Sequence, residues 1–156
     1  DYIRHAIPYT NLYRLSGTAD ISPEGKEKAK VMYEDLLEYV EKLQNKSINL
    51  LFDRTFFTEE IFCRLGFKEY SFTDVFNKLI DKLAKMDFDI YYITLYLSNS
   101  EEFTKRLNRE GKTKVKYTEF NKNSSVNQQE AYLKLAEEKK EKLKLQENSL
   151  SFFWAR

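Results

Sequence analysis

The chain has 156 residues, 42% hydrophobic and 33% charged, which suits one soluble globular domain with a sizeable core and does not suit a disordered segment. Its 26 basic and 25 acidic residues leave a net charge of +1, which argues against nucleic acid or a membrane surface as partner. One cysteine and one histidine exclude an internal disulfide framework and leave little material for a Cys/His zinc site or a Ser-His triad.

In chain order, residues 1–22 are mixed, and their apolar positions Tyr2, Ile3, Ile7, Tyr9, Leu12, Tyr13 and Leu15 predict one or two short helices. Ser22-Pro23-Glu24 opens a helix with a capping serine, proline at the first helical position and an acid in the first turn. Ala29, Met32, Tyr33, Leu36, Leu37, Val40 and Leu43 then recur every three or four residues, predicting an amphipathic helix to about Gln44. The apolar face within 26–43 is also a candidate homodimer surface. Residues 48–52 predict a strand, Thr58-Glu59-Glu60 a short helix ending near Gly66, and Ser71-Phe72-Thr73-Asp74 a third helix whose apolar side carries Val75, Phe76, Leu79, Ile80 and Leu83. Residues 90–97, rich in β-branched and aromatic side chains, predict a second strand. Ser98-Asn99-Ser100-Glu101 caps a helix through about Arg109, residues 110–126 read as a polar, basic, mobile loop, 128–144 as a charged helix and 150–154 as a last strand. The alternation argues for an α/β sandwich with a mainly parallel sheet in one domain over 1–156. The start at Asp1 and the end at Arg156 read as cut ends of a longer protein.

The octet 48–55, Ile-Asn-Leu-Leu-Phe-Asp-Arg-Thr, carries the most chemistry. Leu50, Leu51 and Phe52 fit a parallel strand covered on both faces. Ligands of open parallel sheets gather beyond the carboxyl ends of the strands, where Asp53 and Arg54 then stand. An acid there holds Mg²⁺ or accepts a proton, and a guanidinium clamps phosphate with paired donors. Among the neighbours, Phe56, Phe57, Phe62 and Tyr70 read as core packing before base stacking, and Glu59 and Glu60 as first-turn acids complementing a helix dipole.

The run 50–55, followed by Phe57-Thr58-Glu59-Glu60, resembles the strand and acid-arginine motif of the thymidylate kinase and deoxynucleoside kinase group of P-loop phosphotransferases. Tyr96-Leu97-Ser98-Asn99-Ser100-Glu101, Arg106 and Arg109-Glu110-Gly111 are similar to that group's strand, helix and start of an arginine-bearing lid, and Tyr132-Leu133-Lys134-Leu135-Ala136 to its helix after the lid. The resemblance runs over roughly residues 22–140. It implies a three-layer P-loop kinase-like sandwich that here lacks its N-terminal strand and phosphate loop, with 110–126 as the lid. It implies ATP-dependent phosphoryl transfer, with ATP and Mg²⁺ bound, to a nucleoside monophosphate. The alternatives are a deoxynucleoside kinase acting on the 5′-hydroxyl with Asp53 as base, and a non-catalytic relative. In the kinase reading Asp53 holds Mg²⁺ through water, Arg54 bridges donor and acceptor phosphates, and Arg106 and Arg109, with Lys112 behind them, close over the donor phosphates. The loop G-x-x-x-x-G-K-[S/T] does not occur among the four glycines, and Arg4, Arg14 and Arg64 are the open choices for an acceptor-phosphate arginine. For Tyr132 the simpler reading is a core tyrosine. With no signal peptide visible and no apolar run near the roughly 20 residues that cross a bilayer, the expected compartment is cytoplasmic.

Overall fold

Residues 10–14, expected to be helical, form a strand instead. In the computed structural model, which describes residues 7–96, 115–145 and 152–153, strand β1 (Thr10–Arg14) runs parallel to β2 (Asn49–Asp53), with Thr10 opposite Asn49 and Arg14 opposite Asp53. Tyr9 has φ +55°, which a helix does not continue through, and the ladder to β2 gives Thr10, Leu12 and Tyr13 a pleated surface they fit well. Pairing with a distant strand overrides the local helical pattern. The kinase-like fold was expected to begin without a first strand, yet a strand stands ahead of the first helix.

Parallel neighbours need a crossover, and helix α1 (Pro23–Lys42) supplies it. Ser22 is its N-cap residue and Pro23 opens its first turn, as predicted. The serine hydroxyl does not cap the helix; it donates to Asp20 Oδ1 at 2.5 Å, and the Ser22 amide donates to the same oxygen at 3.0 Å. Ala29, Tyr33, Leu37 and Val40 lie buried along one face. Met32 and Leu36 stay half-buried on the same helix, as does Leu43 at its C-cap. Tyr33 meets Phe56 and Phe72 edge-on at 6.0 and 6.1 Å between ring centres.

Helix α2 (Phe56–Arg64) begins two residues earlier than predicted, because Thr55 caps it: its side-chain oxygen accepts from the Phe57 amide at 3.3 Å. Its end is a Schellman motif. Gly66 sits at φ +75°, its amide donates to Cys63 O at 3.1 Å, and the Phe67 amide donates to Phe62 O at 2.9 Å. The Phe62 and Phe67 rings make the accompanying apolar contact, 5.4 Å between centres. Helix α3 (Thr73–Leu83) starts where its sequence pattern says and buries Val75, Phe76, Leu79 and Ile80. Phe56, Phe72 and Phe76 join α1, α2 and α3 in one aromatic core.

Residues 1–89 make one unit and 90–156 another. In the second, β3 (Leu95–Tyr96) pairs parallel with β4 (Phe152–Phe153). The strand predicted over 90–97 is laddered only at Leu95–Tyr96 among its described residues, since its described partner offers two residues. Helix α4 (Val115–Leu143) begins inside the segment 110–126 that was read as a loop. That segment is polar but holds neither glycine nor proline beyond Gly111, so nothing in it stops a helix. Lys144, at φ +49°, takes the left-handed position glycine usually fills; the Leu145 amide donates to Lys140 O at 3.0 Å and closes the helix. Tyr132 is half-buried on α4, and its carbonyl accepts from Tyr92 Oη at 3.5 Å.

The described residues thus form a mixed α/β chain with two separate two-stranded parallel pairs and four helices. Leu50, Leu51 and Phe52 are half-buried, not covered on both faces as predicted, because β2 has one strand beside it among the described residues. No described helix is long and apolar enough to cross a membrane.

Candidate functional site

Two parallel strands end side by side at Arg14 and Asp53, so their carboxyl edge carries charge of both signs. Arg14 Nε donates to Asp53 Oδ2 at 2.9 Å, and the Leu15 amide extends the ladder to Asp53 O at 3.1 Å. Arg54 follows at φ +72° with its side chain exposed. A residue with a Cβ pays about 1–2 kcal/mol for that left-handed conformation, and the sharp turn it makes is what sends the chain from β2 into the Thr55 cap of α2. Three charged side chains thereby leave the backbone at one edge: Arg14 and Asp53 paired, Arg54 beside them in sequence. Sequence left Arg4, Arg14 and Arg64 open as a further arginine; the register selects Arg14 as the partner of Asp53. Arg64 is committed elsewhere, to Glu60 Oε1 at 2.7 Å, and Arg4 lies outside the described residues. Arg106, Arg109 and Lys112 also lie outside them.

Among the described residues Asp53 is the acid that ends β2 at this edge. Among the described residues no three His, Cys, Asp or Glu side chains converge as a metal cage. Arg14 takes Oδ2, and the Asp53 side chain is 46% accessible. That donor set suits Mg²⁺, which keeps several waters and is held by one or two carboxylates together with substrate phosphates.

Behind the edge lies a second charged group that sequence reading did not find. Glu59, in the first turn of α2 as expected, and Glu60 are 2% and 0% exposed. Glu59 Oε1 accepts from Tyr70 Oη and from Lys68 Nζ, the latter at 3.2 Å. The Lys68 side chain is itself 5% exposed, and its ammonium also donates to Thr18 O at 2.7 Å and Asp20 O at 3.2 Å. Glu60 Oε1 accepts from Arg64 Nε and, at 2.9 Å, from Thr73 Oγ1. Burial, with the Glu59 hydrogen bond behind it, pushes the Tyr70 phenol well above its ordinary range. Burial first, then the Glu59 and Glu60 carboxylates, push the Cys63 thiol up to about 12. Cys63 is therefore a poor nucleophile. Cys63, Arg64, Lys68 and Tyr70 line an open cleft of about 500 Å³ together with Ser71 and Thr73. Both cations of that cleft are matched to buried acids, so it offers no free positive charge to an anion. The Glu60–Arg64 spacing of four was a legible signal for one of these pairs. Nothing local marks Lys68 as buried. Phe56 is buried in the aromatic core, in line with the packing reading of that ring.

Compared with protein-family models, with curated proteins and with solved structures, the chain matches none.

Proposed function

We propose that this chain is a nucleotide kinase of the thymidylate kinase-like group, acting in the cytoplasm within a three-layer P-loop fold. In this reading it transfers the γ-phosphoryl group of ATP to a nucleoside monophosphate. The observation that carries the reading is the meeting of Arg14, Asp53 and Arg54 at the carboxyl edge of a parallel strand pair. Phosphoryl transfer asks a protein mainly to position oxygens and offset their charge, and two guanidiniums around one carboxylate are the groups that do this. Arg54 bridges the donor and acceptor phosphates, and Arg14 binds the acceptor phosphate while it orients Asp53. Asp53 would hold Mg²⁺ through its water shell. Mg²⁺, when bound, offsets charge on the transferring phosphate. The donor-side roles of Arg106, Arg109 and Lys112 rest on the sequence resemblance alone, since these three lie outside the described residues.

The test begins with binding, because in this reading Arg14 and Arg54 both contact the acceptor phosphate. Thymidine monophosphate titrated into the chain is expected to bind with millimolar affinity or better, and Arg54→Ala to weaken it at least tenfold. In the product of the full reading frame, Arg54→Ala is expected to lower Mg²⁺-dependent turnover at least a hundredfold, about 2.7 kcal/mol of barrier. Running the coupled assay over nucleosides and monophosphates identifies the acceptor. Turnover unchanged by Arg54→Ala sinks the assignment.

A further inference from the structure

Lys68 stands in the connector between α2 and α3, far in sequence from β1, yet it is tied to the segment that leaves β1. Its ammonium has three acceptors: the carbonyls of Thr18 and Asp20 and the carboxylate of Glu59. A lysine is seldom this buried, and each acceptor offsets the loss of water around its charge. The same segment is held at two further points. The Glu69 amide donates to Ile21 O at 2.8 Å. Gly17 lies so close against Glu59 that a Cβ there would come within 2.8 Å of Oε2. Residues 15–21 are thus gripped from α2 and from the α2–α3 connector. The segment begins directly after Arg14, whose neighbour Leu15 makes the last ladder bond to Asp53.

We infer that Lys68, working with Glu59, is a positioning residue: it fixes the path of residues 15–21 and so the seat of Arg14 on Asp53. The Arg14–Asp53 pair is too exposed to hold that geometry alone, with side chains 73% and 46% accessible. The grip from Lys68 is part-buried, on backbone carbonyls, from a side chain only 5% accessible. Its value for catalysis rests on the phosphoryl-transfer reading above, whereas the grip itself is measured without nucleotide.

The experiment follows amide hydrogen exchange by NMR in the chain, in Lys68→Met, and in Glu59→Gln/Lys68→Met, which removes both charges so that neither is left unpaired. The expected result is that the Leu15 and Glu69 amides exchange about tenfold faster or more in both variants, relative to the Ile80 amide inside α3. The Arg14 Nε–H resonance is expected to move toward that of a solvent-exposed arginine. Leu15 and Glu69 exchange that keeps its ratio to Ile80 overturns the inference. So does acceleration of all three amides together, or failure of both variants to fold, since each makes Lys68 a residue of general stability. Loss of the local protections with nucleotide binding absent even in the parent chain keeps the grip and removes the kinase reading.

Discussion

Arg54 offers a comparison in which backbone and side chain separate. At φ +72° it occupies a region where a Cβ crowds the following carbonyl. Arg54→Ala and Arg54→Gly both remove the guanidinium, but only the glycine relieves the crowding. The relief is worth about 1–2 kcal/mol, and glycine gives back about 0.5–1 kcal/mol in unfolded-chain entropy, so Arg54→Gly should be more stable than Arg54→Ala by about 0.5–1 kcal/mol. The arginine side chain is exposed, so neither variant loses a packed contact. Urea unfolding followed by circular dichroism reads the difference. At a slope of about 2 kcal/mol per molar, the glycine variant's midpoint lies roughly 0.3–0.5 M higher. Nucleotide binding is expected to fall equally in both. A midpoint for Arg54→Gly at or below that of Arg54→Ala refutes the strained turn, and a glycine variant that binds like the parent refutes the role of the guanidinium.

Three further outcomes are expected. Gly17→Ala forces a Cβ against Glu59, a carboxylate pinned by Tyr70 and Lys68, and should lower stability by about 1–3 kcal/mol in thermal or urea unfolding. Lys28 first, then Ser22, hold the Asp20 carboxyl down at about 2. A depressed acid contributes stability above its unfolded value, ordinarily 3.8, and loses it as pH falls through the folded one. Stability should therefore drop more steeply between pH 4 and pH 2 in the parent than in Asp20→Asn, and parallel acid limbs would contradict this. The Cys63 thiol, raised from 9.0 to about 12, should leave about a thousandfold less thiolate at pH 8 than in the unfolded chain, so a disulfide reagent should label it only on unfolding. A raised thiol contributes stability below its unfolded value and loses it as pH climbs toward the folded one; Cys63→Ser should flatten the loss above pH 9.

What the sequence made legible were features written locally. The start of α1 at Ser22-Pro23, its spacing of apolar residues, the stop at Gly66, the start of α3 and the acid-arginine end of β2 all depend on neighbours within one or two turns. What escaped depended on distant partners. Residues 10–14 have a helical apolar pattern, and only β2 makes them a strand. Residues 115–126 looked like a loop because they are polar, although polarity does not end a helix. The burial of Glu59 and Glu60 was not legible because their partners, Lys68, Tyr70 and Thr73, are supplied by the connector and the start of α3. At the candidate edge, Asp53 and Arg54 were found from their place after an apolar strand, whereas Arg14 needed the strand register.

The energetics of the edge and of the network behind it run in opposite directions. The buried group of Glu59, Lys68 and Tyr70 exchanges water for close partners, and removing one member leaves another uncompensated. It therefore holds its neighbours in one arrangement. The carboxyl edge does little for folding: an exposed Arg14–Asp53 pair contributes about 0–1 kcal/mol, and the turn at Arg54 opposes folding by about 1–2 kcal/mol. A glycine at position 54 would remove that opposition at no loss of packing. Local conflicts of this kind are expected where a side chain is retained for what it binds, since stability alone gives no reason to keep it. The cost sits on Arg54, and the adjoining segment is steadied by the Lys68 ammonium, which has three acceptors. In the proposed phosphoryl-transfer reading, an interior support would serve a charged edge that itself adds little stability, because the charges of an electrostatic phosphate site must be held in place before the ligand arrives.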